Sequence, residues 1–83
     1  MLYVAWEETG EVAADVEGPW EDIVLLRPGL LLLDSAASRS AVYHAIKHHL
    51  PEGTALLVAP LSSPPKMKGM SPGSTTWLLG RGR

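Results

Sequence analysis

All three histidines of the chain fall in one short stretch, HAIKHH, from His44 to His49. His44 and His48 are four residues apart, a spacing that places two imidazoles on one face of a helix. Two imidazoles hold a metal only when a third ligand comes from elsewhere, and the HExxH pattern is absent because Ala45 follows His44. The histidines also lie in the last turns of the predicted helix, where its dipole favours cations. The stretch therefore predicts a solvent-exposed helix face, with no metal and no cofactor.

A second stretch that could bind a ligand precedes the same helix, DSAASRS from Asp34 to Ser40. Ser38, Arg39 and Ser40 could offer hydroxyls, a guanidinium and helix N-terminal N–H groups to a phosphate or carboxylate. No glycine-rich phosphate loop, GxxxxGKS/T or GxGxxG, comes before the helix. Helix N-capping accounts for the serines as well. We therefore expect N-caps here, with anion or small-molecule binding as an alternative.

The third candidate is a loop rich in Pro, Gly, Ser and Lys, at positions 62–74. Met67 and Met70 within it, with Trp77 beyond, would suit an adaptable protein-contact surface. Its lysines would also suit the backbone of a nucleic acid. The nucleic-acid hypothesis rests on four basic residues, Arg39, Lys47, Lys66 and Lys68. An ordinary solvated loop is the simplest interpretation.

Patterns typical of enzymes are weak. Glu7 and Glu8 could hold a divalent ion as paired carboxylates, although two acids at the end of a strand are more typical of an exposed turn. None of the seven serines lies in a GxSxG motif, and no His–carboxylate pairing is visible. The sequence leaves catalysis uncertain and favours a protein without enzymatic activity.

Length and composition define a broad class. The 83 residues predict one small domain, 1–83, whose last residues 80–83 are expected to fray. No apolar run approaches the roughly 18–20 residues of a membrane span. The N-terminus lacks a basic region typical of a secretory signal, and cysteine is absent, so we expect a cytoplasmic protein without disulfides.

Charge is unevenly spread along the chain, although the net charge is only −2. Residues 1–34 hold eight acidic residues and one basic residue, whereas residues 35–83 hold six basic residues and one acidic residue. Such asymmetry can indicate a nucleic-acid-binding half. The simpler explanation is that the two halves neutralise each other within one fold or between subunits.

Hydrophobic periodicity predicts the elements. Alternation predicts an N-terminal hairpin whose second strand is 11–17, with a short helix as the alternative. Apolar runs around Arg27-Pro28-Gly29 predict a second hairpin, 23–33. The later elements are a helix at 38–50, a buried strand at 55–61, a loop at 62–74 and a short strand at 75–79.

The strand–helix–strand unit at 30–61 should be a right-handed crossover with parallel strands. Both faces of its strands are apolar, yet the chain predicts only one good helix. Since a bare apolar face is rare on a soluble monomer, we expect the N-terminal hairpin or a second copy of the chain to cover the other face. This pattern predicts a homodimer packed sheet to sheet.

The order of elements over residues 22–79 is similar to that of the ferredoxin-like small proteins among the CRISPR-associated nucleases and their relatives. Those proteins dimerise through sheets, and some bind nucleic acid. This chain lacks their long first helix and has Trp6-Glu7-Glu8 where the nuclease members place an aspartate. The resemblance therefore implies a related topology but no nuclease activity and no site residue.

The predicted fold is α+β, a four- to five-stranded mixed sheet of hairpins and one β-α-β crossover, with a single helix on one face. The predicted function is a small self-associating interaction domain. Nucleic-acid binding by the basic second half and anion binding at Asp34–Ser40 are the alternatives. A homodimer is the favoured partner, and no membrane is expected.

Overall fold

The computed structural model describes residues 1–80, which form four strands and two helices. In chain order these are β1 (Leu2–Glu7), β2 (Asp22–Arg27), β3 (Leu30–Asp34), α1 (Arg39–Lys47), β4 (Leu56–Leu61) and α2 (Ser74–Leu79). The predicted α+β class is confirmed, with a four-stranded sheet and one crossover helix. The predicted frayed tail, 80–83, lies outside the described residues apart from Gly80.

The strands form one sheet in the order β2-β3-β1-β4. Strands β3 and β4, which α1 joins, run in the same direction, but β1 lies between them and is antiparallel to both. Each neighbouring pair in the sheet is therefore antiparallel, which differs from the predicted mixed sheet because β1 separates the two strands that run in the same direction. A ferredoxin-like domain follows the order β-α-β-β-α-β. The topology is compatible with that pattern if residues 8–21 take the place of the first helix.

Residues 8–21 contain neither the strand predicted for 11–17 nor its helical alternative, so the predicted N-terminal hairpin is wrong. The physical reason is the carboxylate of Glu7, which accepts hydrogen bonds from the backbone N–H groups of Thr9, Gly10 and Val12. These N–H groups are then not available to a strand ladder. Strand β1 pairs instead with β3 and β4 and becomes a central strand.

The second predicted hairpin is confirmed as β2 and β3, joined at Pro28-Gly29. Gly29 has a φ of +84°, which side chains of L-residues rarely adopt. Its carbonyl accepts a hydrogen bond from Glu7 N at 2.8 Å, so the hairpin turn lies against the end of β1. This close approach leaves no room for a side chain.

Replacing Gly29 with alanine should therefore lower the free energy of unfolding by about 2 kcal/mol or more. The new Cβ atom would lie 2.5 Å from the Glu7 carbonyl oxygen. Gly53→Ala is the matched control, because Gly53 has a φ of +88° but no neighbour within 4 Å. It should cost only the backbone term of about 1 kcal/mol. Equal losses in urea denaturation would show that the contact with Glu7 is unimportant.

The predicted helix forms as α1, somewhat shorter than 38–50. Ser38 is the N-cap, and its hydroxyl accepts a hydrogen bond from Ala41 N at 3.1 Å. The helix ends at Lys47 and continues as a turn to Leu50. Val42 and Ile46 are fully buried, as the helical periodicity predicts.

The first core lies between α1 and one face of the sheet. Its buried members are Tyr3, Ala5, Val12, Leu31, Leu33, Val42 and Ile46. Val16 and Trp20 from the loop 8–21 pack against the same core. The hydroxyl of Tyr3 donates to the Ala37 carbonyl at 2.7 Å, which ties β1 to the segment before α1. This face is thus covered jointly by α1 and the irregular loop.

The second core lies on the opposite face of the sheet, where no N-terminal hairpin forms in residues 1–21. Leu26 and Leu32 of the sheet are buried there against Leu78 of α2, with Met67, Met70 and Trp77 packed around them. The C-terminal segment of the same chain, residues 62–79, therefore forms the cover. The expected cover by an N-terminal hairpin is therefore wrong, and the homodimer packed sheet to sheet stays a prediction.

The strand predicted at 75–79 is instead helix α2, Ser74–Leu79. Ser74 and Leu78 are buried while Leu79 is exposed, which is a helical spacing of four. Five residues are too few for periodicity to separate a strand from a helix. Neither helix in residues 1–80 has the length and apolar character that crossing a membrane requires.

Candidate functional site

The histidine stretch lies at the end of α1. His44, Lys47 and His48 are exposed, as the predicted helix face requires. The Nε2 atom of His49 is 2.9 Å from the carbonyl oxygen of Glu17, and since a carbonyl only accepts, His49 donates. This contact fastens the loop 8–21 to the end of α1. Over residues 1–80, no cluster of three or more potential ligands is arranged to hold a metal ion.

The stretch before α1 uses its hydroxyls in the fold. Ser35 is fully buried, donates to the Pro19 carbonyl and accepts from Ala37 N at 2.9 Å. Ser38 caps the helix, and Arg39 and Ser40 are exposed beside it. Anion binding by Ser38, Arg39 and Ser40 stays a prediction.

The two glutamates at the end of β1 do not point to a shared site. Glu7 is 1% exposed, whereas Glu8 is exposed and its Oε1 accepts from Ala55 N at 2.9 Å. Burial by itself raises the pKa of Glu7. Hydrogen bonds from the Thr9 hydroxyl and from the N–H groups of Val12, Thr9 and Gly10 lower the pKa by a larger amount. The net pKa lies below the ordinary value. Glu7 is therefore an ionised structural centre of the turn, a role that its sequence position alone does not reveal.

The four cations of the nucleic-acid hypothesis lie on two sides of the sheet. Arg39 and Lys47 belong to α1, on the face of the first core, whereas Lys66 and Lys68 belong to the segment that covers the second core. They do not form one continuous basic surface. Nucleic-acid binding stays a prediction without geometric support from this arrangement.

The apolar residues of the predicted interaction loop, and Trp77 beyond it, face the interior of the domain. Met67, Met70 and Trp77 are half-buried and pack against the buried leucines of the second core. The segment is also anchored, since Arg27 Nη1 donates to the Gly69 carbonyl at 3.0 Å. Much of its methionine surface is therefore already used within the chain.

One corner of the sheet stays uncovered. Trp6 is 44% exposed and Leu57 is 55% exposed. They are direct cross-strand partners in β1 and β4, so their side chains stand side by side on one face. Leu30, half-buried, is the partner of Trp6 on the other side. We call these three residues the sheet corner.

The sheet corner lies on the face of the second core, toward the β1–β4 side of the sheet, whereas the C-terminal segment bonds to β2 on the other side. Leu2, Val4 and Trp6 alternate along β1 on this face, and exposure increases to Trp6. The alternation is visible in the sequence. The pairing of Trp6 with Leu57 is not, because it depends on insertion of β1 beside β4.

Beside the sheet corner, β4 is an edge strand. It pairs with β1 on one side, and in the described residues 1–80 no strand pairs with its other side. Its sequence, LLVAPL, contains no charged residue. Natural edge strands usually carry charges, prolines or bulges that prevent pairing with other chains, and β4 has only Pro60. Among the large apolar residues that are exposed in the described part of the chain, Trp6 and Leu57 are adjacent cross-strand partners beside this unpaired edge.

No protein-family model, no curated protein and no solved structure matches this chain at a significant level.

Proposed function

We propose that this chain is a small self-associating interaction domain without enzymatic activity, and that its contact surface is the sheet corner with the adjacent β4 edge. The observation that carries the proposal is the exposed cross-strand pair of Trp6 and Leu57. Large aromatic and aliphatic side chains that are adjacent and exposed are typical of contact surfaces. The surface is smaller than the whole sheet face that the sequence suggested, because residues 62–79 cover the rest.

The proposal of a protein without enzymatic activity is supported by polar side chains that serve the fold. Glu7, Ser35 and Ser38 each use their side-chain oxygens to hold turns or helix ends. The lack of cysteine in the full sequence is compatible with the cytoplasmic location that we propose. Nucleic acid is a less favoured partner, for which the exposed Lys66 and Lys68 are the nearest candidates.

The expected association is weak, since the exposed corner is small beside the roughly 1,600 Å² that a standard interface buries. We expect the average mass in sedimentation equilibrium to rise from monomer toward dimer as concentration increases from about 10 to 500 µM. A strict monomer across this range would refute the proposal.

Leu57→Ser should weaken self-association at least about tenfold, because it removes a central apolar contact. Leu79→Ser is the matched control. Leu79 is 75% exposed, more than Leu57, but it lies at the end of α2 and outside the sheet corner. The dissociation constants from sedimentation should change for Leu57→Ser alone. Equal weakening by both would indicate nonspecific hydrophobic association instead of a defined surface.

A further inference from the structure

The two edge strands of the sheet, β2 and β4, differ in whether another segment of the chain bonds to their outer side. At β2, Ser71 N donates to the Leu26 carbonyl at 2.9 Å and the Ser71 hydroxyl donates to the Leu25 carbonyl at 2.6 Å. The strand also carries Asp22 and Arg27 at its two ends. Strand β4 has no such cover in residues 1–80 and no charge. An additional strand would therefore add at β4.

The alternation of hydrogen bonds in the antiparallel ladder determines which backbone N–H and C=O groups of β4 face its open edge. Glu8 N donates to the Ala55 carbonyl at 3.1 Å, whereas Glu7 N donates away from β4, to Gly29. Since hydrogen-bonded pairs alternate, Leu57 bonds with Trp6, while the groups of Leu56 and Val58 point to the open edge.

Pro60 points to the same open edge by this alternation. It offers a carbonyl oxygen but no N–H, and its ring occupies the place of the donor. The usable edge is therefore Leu56 to Val58, two donors and two acceptors that surround Leu57. Proline thus limits the edge at one end.

We infer that two copies of the chain pair antiparallel through β4, with a two-fold axis at Leu57, an inference that rests on the self-association proposed above. Leu56 of each copy then pairs with Val58 of the other, which makes four backbone hydrogen bonds. The two Leu57 residues meet at a non-hydrogen-bonded position, where side chains are closest. The result is one continuous eight-stranded sheet.

A second copy fits this edge because a two-fold axis places the strand against itself. Any charge on β4 would then lie close to its own copy, and like charges directly opposite are destabilising. The sequence LLVAPL avoids that conflict completely. The two sheet corners would also join into one apolar strip, with Leu57 in the centre and Trp6 on either side.

Neighbouring registers are less favourable. An axis at Val58 would place Pro60 in a hydrogen-bonded pair with Leu56 of the second copy, where its ring replaces the donor. An axis at Leu56 would place Leu57 against Ala55 and bury less of its exposed side chain. The axis at Leu57 keeps Pro60 outside the paired region and buries Leu57 against its own copy.

Single-cysteine variants test this register directly, because the chain has no cysteine of its own. At a non-hydrogen-bonded antiparallel pair the Cα atoms are about 4.5 Å apart, within the range that a disulfide spans. Leu57→Cys should therefore cross-link to a dimer rapidly on mild oxidation. In Ala59→Cys the two sulfurs start from positions about 13 Å apart along the strands, too far for a disulfide. Leu79→Cys gives the rate of random collision.

We expect Leu57→Cys to cross-link at least about tenfold faster than the other two variants. Preferential cross-linking in a mixture of Leu57→Cys with Ala59→Cys would place the axis at Val58 and overturn the register. If wild-type protein self-associates in sedimentation but Leu57→Cys reacts no faster than Leu79→Cys, the edge pairing is wrong while the proposed function survives. If wild-type protein is a monomer, both fail. Leu57 is more than half exposed, so its replacement should leave the fold intact.

Discussion

Replacing Glu7 with alanine is expected to lower the free energy of unfolding by about 2–4 kcal/mol. The buried carboxylate accepts hydrogen bonds from the backbone N–H groups of Thr9, Gly10 and Val12 and from the Thr9 hydroxyl. Its removal leaves these donors without an acceptor at the point where the chain leaves β1. Urea denaturation of the two proteins measures the loss.

Two matched variants separate the causes. Glu8→Ala changes the adjacent, exposed glutamate, which has one backbone hydrogen bond, and should cost about 1 kcal/mol or less. Glu7→Gln keeps one acceptor oxygen but places its amide NH2 group against a backbone N–H donor. The loss of unfolding free energy should therefore be intermediate. A loss for Glu7→Ala as small as that for Glu8→Ala would refute the structural role of the carboxylate.

The same site predicts how stability depends on pH. The pKa of Glu7 is lowered in the folded protein, since hydrogen bonds to the charged form outweigh burial, which by itself raises it. The unfolded chain therefore binds a proton more readily than the folded chain. The contribution of Glu7 to stability is complete above the ordinary glutamate pKa, and it is lost as pH falls from about 4 through the lower folded pKa. Glu7→Gln should lack this part of the acid-dependent loss, and an unchanged pH profile would contradict the assignment.

Replacing Leu78 with alanine should lower the free energy of unfolding by about 2–4 kcal/mol. Leu78 is 5% exposed and is the buried apolar residue of α2, in one cluster with Leu26 and Leu32. A shorter side chain leaves a cavity under the C-terminal segment and loosens its contact with the second sheet face. We expect increased binding of a hydrophobic dye as well as a lower urea midpoint, because apolar surface becomes exposed.

The neighbouring residue provides the control for this prediction. Leu79 has the same side chain but is 75% exposed, so Leu79→Ala should change stability by no more than about 0.5 kcal/mol. Equal effects of the two substitutions would mean that the C-terminal segment does not form the cover. The pair therefore tests which part of the chain protects the second core.

Local patterns in the sequence predict a substantial part of this fold. The hairpin of β2 and β3 follows from Pro28-Gly29 between two apolar runs, and α1 follows from its cap at Ser38 and the period of Val42 and Ile46. These signals are local, since a turn or a helix depends on residues within four positions of each other. The structure of residues 8–21 and 74–79 is harder to predict, because the periodicity of their short apolar segments does not separate a strand from a helix.

The candidate site depends on contacts between distant parts of the chain. Trp6 and Leu57 become neighbours only because β1 is inserted between β3 and β4. The buried role of Glu7 likewise depends on a loop that folds back onto its carboxylate. Neither the helical nor the strand period contains this information, so the sequence identifies the residues without their arrangement.

By itself, the sequence determined the α+β class, the hairpin, the helix with its exposed histidine face, and the presence of apolar residues on both faces of the sheet. Only the tertiary structure decided the strand order, the formation of α2, and the covering of the second face by residues 62–79. The reason is that hydrophobic burial is non-directional. An apolar pattern indicates that a face must be covered, but it does not indicate which segment covers it. Chain connectivity and packing make that choice, and here they leave the Trp6–Leu57 corner and the edge of β4 exposed.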